Sequence, residues 1–324
     1  NNIIYIYGYM SKTKILIVGG AGYIGGYLTD MLSLEYDVTV YDNLLYESRF
    51  FKDIKFIYGN ICDQNRLEKI INNYEIVVWL AAIVGDGACA INPDLTRKVN
   101  LESLSWIPKI YNGKFIFMST CSVYGANNDI LDENSPTNPL SLYAETKLLA
   151  EKFVINNFKN YLIFRLGTLF GLGDKFSRVR LDLVLNVLTY KATNNETLNV
   201  FGGEQWRPLL HVKDVSNAIH FCLKNDIIGL YNLSYKNFTI KDISLIIKNK
   251  IPNSNIIYQE ILFEDFRNYK VKNEKIFNLG WKPIYDIEFG INEIYNLINE
   301  NRIVNSKDPI YYNQLYLKNL WKQI

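Results

Sequence analysis

The chain is short of the residues that most often build metal and nucleophile sites. It has only two histidines, His211 and His220, so a zinc centre or a Ser-His-Asp triad has little to draw on. Its four cysteines, Cys62, Cys89, Cys121 and Cys222, show neither metal-ligand spacing nor a disulfide-rich pattern. Reduced thiols in a cytoplasmic protein, and no bound metal, are therefore expected. No apolar run reaches the ~18 residues of a membrane span, so no membrane partner is expected either. A formal net charge of +2 with scattered basic residues gives no ground for a nucleic-acid partner. Any phosphate binding must be local. The first nine residues, Asn1 to Tyr9, lack the basic start of a signal peptide. Met10 reads as a natural start, and the preceding segment as an upstream extension.

What is present is an ordinary globular composition, 48% hydrophobic and 21% charged, in a chain long enough to bury a substantial core. Lys14 to Val18 reads as a buried strand running straight into Gly19-Gly20-Ala21-Gly22-Tyr23-Ile24-Gly25-Gly26, and a helical pattern through Leu28, Met31, Leu32 and Leu34 follows. Strand, glycine turn and helix in that order form the setting of a dinucleotide fingerprint. Glycines at 19, 22 and 25 permit a tight turn and a close approach to a pyrophosphate, with helix amides aimed at the anion. The next strand, Asp37 to Tyr41, ends at Asp42. An acid there accepts from ribose hydroxyls and repels an added phosphate, so NAD is preferred over NADP.

Further strands are expected at Ile54 to Tyr58, Ile76 to Leu80, Phe115 to Met118 and Tyr161 to Phe164. Helices are expected around Asn65 to Asn72, Leu95 to Tyr111 and Ser141 to Phe158. This alternation indicates an α/β chain with a doubly wound parallel sheet. It places Gly19, Asp42, Ala81-Ala82 and Thr120 on one rim, beyond the carboxyl ends of the strands.

Among 24 tyrosines, about two would be followed by a lysine four residues on by chance. Only Tyr143 is, with Lys147. On a helix the two share a face, and an ammonium there favours a phenolate whose ordinary pKa is near 10. Thr120, at an expected strand end, would supply a hydroxyl to complete a device for taking a proton from an alcohol.

Together these residues resemble the extended short-chain dehydrogenase/reductase family, which includes nucleotide-sugar epimerases and dehydratases. The resemblance rests on Gly19 to Gly25, Leu80-Ala81-Ala82, Asn100, Ser119 to Gly125, and Tyr143 with Lys147. It continues through Arg165 with Phe170-Gly171, Arg207 to Val215, and Leu279 to Pro283. It implies a Rossmann domain made of residues 11–171 and 205–235, with a smaller mixed α/β nucleotide-sugar domain made of 172–204 and 236–324. It also implies that Tyr143 is the catalytic base, that Lys147 binds the nicotinamide ribose and lowers the tyrosine pKa, and that Thr120 bonds the reacting oxygen. Asp42 would hold the adenosine ribose, Asn60 the adenine, and Gly22, Tyr23, Ile24, Ile61 and Leu80 to Ala82 the rest of NAD. Arg207 would meet the diphosphate of a nucleotide-diphosphate sugar or, as the plain alternative, form an incidental ion pair. His211 is expected to build its strand, and Trp281 to pack in the smaller domain.

The departures narrow the chemistry. The 4,6-dehydratases resemble one another in an Asp-Glu pair after the catalytic Thr, whereas here Cys121 and Ser122 follow. Neither is a suitable acid or base at neutral pH, so elimination of water is disfavoured. The segments Ala81 to Cys89 and Ser177 to Asn186 look like those of a subgroup that modifies sugars for bacterial surface polysaccharides. Within it the chain is similar to the GDP-manno-heptose 4-dehydrogenases of capsule pathways. Arg178 and Arg180 either face the diphosphate or lie on the solvated side of a helix. Oxidation of a carbon-4 hydroxyl follows, by a 4-dehydrogenase or as the first half of a 4-epimerase; an idle NAD-binding sensor is the reading from another class. The family pairs subunits through the helix of Tyr143 and the one before it, so a homodimer or higher homo-oligomer is expected.

Overall fold

The computed structural model describes residues 12–260 and 268–322, and the expected upstream extension lies outside them. At its centre is a seven-stranded sheet in the order Gly229–Leu233, Tyr161–Leu166, Lys114–Thr120, Ile76–Trp79, Lys14–Val18, Asp37–Asp42, Lys55–Tyr58. Every neighbouring pair in it is parallel. The sheet begins with Lys14–Val18, and the chain winds outward through the next two strands. It then crosses back to Ile76–Trp79 and winds the other way. That reversal opens a crevice at the carboxyl ends of Lys14–Val18 and Ile76–Trp79, where doubly wound sheets bind their ligands. The expected Rossmann-type sheet is present.

The strands are apolar on both faces because helices cover both. Successive side chains alternate between the faces. Ile15 and Ile17 pack with Leu28, Leu32, Val78 and Phe164, while Leu16 and Val18 pack on the opposite side with Tyr41, Trp79, Phe117 and Ile163. Some helix starts carry short polar caps. Asp63 accepts from Arg66 N at 3.2 Å to open Gln64–Ile71, and Ser141 accepts from Ala144 N at 3.2 Å to open Leu142–Asn157.

Two expectations need correction. The segment 95–111 is not one helix: Pro93–Asn100 is followed by separate 3-10 turns at Glu102–Leu104 and Ile107–Lys109. Pro108 lacks the N–H that a continuing helix needs and disfavours helical backbone at the residue before it. Trp281 is core, but it packs in the cluster of Ile15, Leu28 and Leu32 on the large sheet rather than in a separate small-domain core.

Smaller sheets flank the large one. Trp206–His211 pairs with Thr168–Phe170 in parallel and with Lys236–Thr239 in antiparallel. Leu198–Phe201 pairs with Ile256–Gln259, and Ala126–Leu131 with Asn268–Val271. A second core, with Phe170, Leu185, Leu209, Ile243 and Ile291, lies under the first of these. No helix among the described residues is long and apolar enough to cross a membrane.

Candidate active site

The glycine turn is built for a close approach. Gly19 has φ +84°, and a Cβ there would lie 2.5 Å from the Ala81 backbone N. A Cβ on Gly25 would lie 2.3 Å from the Gly20 carbonyl oxygen. No side chain fits at either position. The helix Gly25–Ser33 starts directly from this turn. Asp42 braces it: Oδ2 accepts from Ala21 N at 3.0 Å and Oδ1 from Leu44 N at 2.7 Å. Burial pushes its carboxyl pKa up, opposed by the backbone N–H groups of Leu44, Ala21 and Asn43. A carboxylate offers about four acceptor positions, and the backbone N–H groups do not fill them all, so acceptor capacity remains for a hydroxyl. A glycine cradle, helix amides and an acid with spare acceptors fit a dinucleotide.

This turn forms one wall of a cleft of about 490 Å³, within the range of about 300 to 1,000 Å³ typical of small-molecule sites. The cleft brings together Gly19, Gly22, Tyr23 and Ile24 with Asp42, Asn60 and Ile61, and with Leu80, Ala81 and Ala82. Thr120, Tyr143, Lys147, Arg178 and Arg180 also line it. Arg207 does not. It lies buried in the three-stranded sheet, with Nη1 donating to the Trp206 carbonyl at 2.8 Å. Asn60 Oδ1 accepts from Cys62 N at 2.9 Å, which leaves the amide N–H groups as donors.

Thr120 is the last residue of its strand, and its Oγ1 accepts from Ser122 N at 3.1 Å. Tyr143 stands in the first turn of Leu142–Asn157. That helix is locked in rotation by Glu151, whose carboxylate accepts from Ser119 Oγ at 2.7 Å and from Arg165 Nε at 3.0 Å. The residue before Thr120 and the helix of Tyr143 are thereby tied together. Asn100 adds a second tie. Its amide exchanges two hydrogen bonds with the Ile83 backbone, at 2.8 and 2.9 Å, and lies 3.4 Å from Thr146 Oγ1.

The electrostatics differ from expectation. Burial pushes the Tyr143 phenol well above its ordinary pKa, the Cys89 side chain adds to the rise, and a hydrogen bond with Thr120 works the other way. Lys147 is 4% exposed, with Nζ 4.2 Å from the centre of the Phe117 ring. Burial pushes its ammonium down to about 7. For the tyrosine, burial thus outweighs the lowering by Thr120, and its pKa stays above the ordinary value.

Cys121 and Ser122 supply no acid–base pair. Cys121 is fully buried, with Sγ 3.2 Å from the Arg165 carbonyl, and burial pushes its thiol up. Ser122 Oγ lies 3.1 Å from the Tyr269 hydroxyl. Arg178 and Arg180 precede the helix Val184–Thr193 and are not on a solvated helical face. Sequence reasoning missed Glu151, Tyr269 and Asn313. The last two line the cleft, and nothing in their local sequence marks them.

Residues 15–234 match a family model described as the NAD dependent epimerase/dehydratase family. A Methanocaldococcus jannaschii protein assigned provisionally as a UDP-glucose 4-epimerase is 28% identical, over 89% of this chain and 99% of its own length. Human dTDP-D-glucose 4,6-dehydratase is 27% identical, over 89% of this chain and 90% of its own. The solved structure of UDP-glucuronic acid 4-epimerase from Bacillus cereus, in complex with UDP-glucuronic acid and NAD, superposes with a TM-score of 0.77. It is 25% identical and covers 89% of this chain and 100% of that one.

Proposed function

The chain belongs to the NAD dependent epimerase/dehydratase family, and from that membership and the cleft we propose that it oxidises the carbon-4 hydroxyl of a nucleotide-diphosphate sugar. The observation that carries the reading is that Tyr143 and Thr120, with Lys147 one helical turn on from the tyrosine, line the same cleft as the glycine cradle. NAD, when bound, supplies the hydride acceptor and a cationic ring. The turn from Gly19 to Gly25, with Tyr23, Ile24, Ile61 and Leu80 to Ala82, holds and orients it. Asp42 takes the adenosine ribose, Asn60 the adenine, and Lys147 the other ribose. Thr120 bonds the sugar's carbon-4 oxygen, and the Tyr143 oxygen takes the hydroxyl proton, leaving a 4-keto sugar. Such base catalysis contributes about 10²- to 10⁴-fold, and positioning supplies the remainder.

Arg178, on the cleft wall, meets the diphosphate in place of Arg207, with Arg180 beside it. Dehydration is set aside because Cys121 and Ser122 stand where an acid pair is required. In the leading reading the ketone is released, as by a 4-dehydrogenase acting on GDP-manno-heptose for surface polysaccharide synthesis. The similarity of residues 81–89 and 177–186 to that subgroup supports it. A 4-epimerase shares the first half-reaction, and the two 4-epimerase relatives favour it. The reading includes a cytoplasmic homo-oligomer, in keeping with four free cysteines.

The test is incubation with NAD and a panel of UDP-, GDP-, CDP- and dTDP-sugars including GDP-manno-heptose, following NADH absorbance and product mass together. NADH with a product two mass units lighter supports the dehydrogenase; an isomer without net NADH supports the epimerase. Loss of water, or no turnover of any sugar, contradicts the proposal.

A further inference from the structure

Arg178 and Arg180 stand two residues apart on the cleft wall, but their charges are met differently. Arg180 pairs with both oxygens of Asp182, through Nε at 2.7 Å and Nη2 at 3.0 Å. Arg178 donates instead to neutral acceptors, from Nη1 to the Ile310 carbonyl at 2.7 Å and from Nη2 to the Asn313 side-chain oxygen. The acids that act on its charge are engaged elsewhere: Asp182 with Arg180, and Glu47 with the Arg178 backbone N–H at 3.0 Å. The guanidinium stacks 4.2 Å from the Tyr46 ring centre. A half-buried guanidinium held by neutral groups keeps its charge for an anion in the cleft. It has five N–H donors, and the two bonds above leave three.

Asn313 is the part that holds it there. It is 2% exposed, and each of its polar groups reaches a different element. Its backbone N donates to Asp182 Oδ2 at 3.0 Å, its Nδ2 donates to the Val84 carbonyl at 3.2 Å, and its Oδ1 takes Arg178. It opens the helix Asn313–Leu320, whose Leu317 is fully buried against Ile83, Ala88 and Cys89 in a cluster that Tyr143 also joins. The C-terminal segment thus joins the arginine wall to the loop beside the tyrosine.

We propose that Asn313 is a positioning residue for the nucleotide diphosphate, aiming Arg178 without neutralising it, and that the segment from Pro309 to Trp321 is part of the nucleotide-sugar site. This rests on the reading that Arg178 meets the diphosphate. An alanine at 313 removes one of two bonds that orient the guanidinium. An aspartate keeps the shape but sets a carboxylate against it, so the arginine is spent within the protein.

The experiment is calorimetric titration of GDP and of UDP into the full chain, wild type and the variants Arg178→Ala, Asn313→Ala and Asn313→Asp, with NAD titrated into each as a control. Asn313→Ala is expected to weaken the preferred diphosphate about tenfold and Asn313→Asp more than that, with NAD affinity unchanged in both. With the sugar that the protein turns over, KM should rise in the same order while kcat holds. If Arg178→Ala weakens the diphosphate and Asn313→Ala does not, the role of Asn313 is overturned alone. If Arg178→Ala has no effect, the underlying reading falls. Equal loss of NAD and diphosphate in Asn313→Ala, or wild-type affinity in Asn313→Asp, also overturns the proposal.

Discussion

At the scale of single residues the account turns on where one proton goes. Tyr143→Phe keeps the ring and loses the acceptor, so turnover should fall about 10²- to 10⁴-fold while NAD binding, followed by titration, stays as in the wild type. A full-rate phenylalanine variant would remove the tyrosine from the chemistry. Burial holds the Tyr143 pKa up and the Thr120 hydrogen bond draws it down. The alkaline form is the active base, so kcat/KM should rise with pH, and Thr120→Ala should move that limb to higher pH. A limb that stays in place would contradict that influence of Thr120. Lys147 has the opposite sign of effect on folding. Its folded pKa, about 7, lies below the ordinary lysine value of 10.5. Between the two values the unfolded chain binds the extra proton, so its contribution to stability rises with pH through that window. Lys147→Met should therefore flatten the slope of stability between those values, read by denaturant unfolding at several pH values, while activity is lost. That Tyr143, Lys147 and Thr120 would share one cleft was legible from their spacing together with the motifs around them, but their electrostatics were not, because desolvation belongs to the packed cleft and not to the five-residue stretch.

At the scale of elements, the strand, turn and helix of residues 14–33 could be read directly because glycine is required by contacts within the unit and by the neighbouring strand end. Gly19→Ala combines a strained positive φ with a 2.5 Å approach to Ala81 N. It should cost about 1–3 kcal/mol or more and weaken NAD binding, seen as a lower melting temperature and a weaker titration. An alanine variant with unchanged stability and NAD affinity would contradict the cradle. The helix expected over 95–111 could not have run through Pro108, a local reason that the sequence did contain, but its end at Asn100 has no such local mark. Trp281 failed for a non-local reason, since which core it joins depends on the path of the chain between distant elements. Cleft contacts of the same kind were out of reach: Ser122 and Tyr269 are 147 residues apart, and Arg178 and Asn313 are 135 apart.

At the scale of the molecule, two differently built walls face each other across one cleft. The wall from the seven-stranded sheet carries the glycine turn, Asp42, Thr120 and Tyr143, all at strand ends or first turns of helices. The other carries Arg178 and Arg180 from the segment before Val184–Thr193, backed by the C-terminal helix. Arg207 was expected in that second wall and is buried in the three-stranded sheet instead. Arg178→Ala should accordingly raise KM for the nucleotide sugar about tenfold or more, and Arg207→Ala should raise it less; the reverse order in steady-state kinetics would restore the arginine first expected from sequence.

Carbon-4 oxidation driven by Tyr143 has a direct readout in the fate of one hydrogen. The nucleotide sugar found by the panel is prepared with deuterium at carbon 4 and mixed with enzyme and NAD in a single turnover, and the cofactor is analysed by mass. Deuterium is expected on the reduced cofactor with the wild type, at a rate lowered by the isotope, and little within the same time with Tyr143→Phe. Label that never leaves the sugar while product forms, or equal transfer by the phenylalanine variant, would contradict oxidation at carbon 4 by Tyr143.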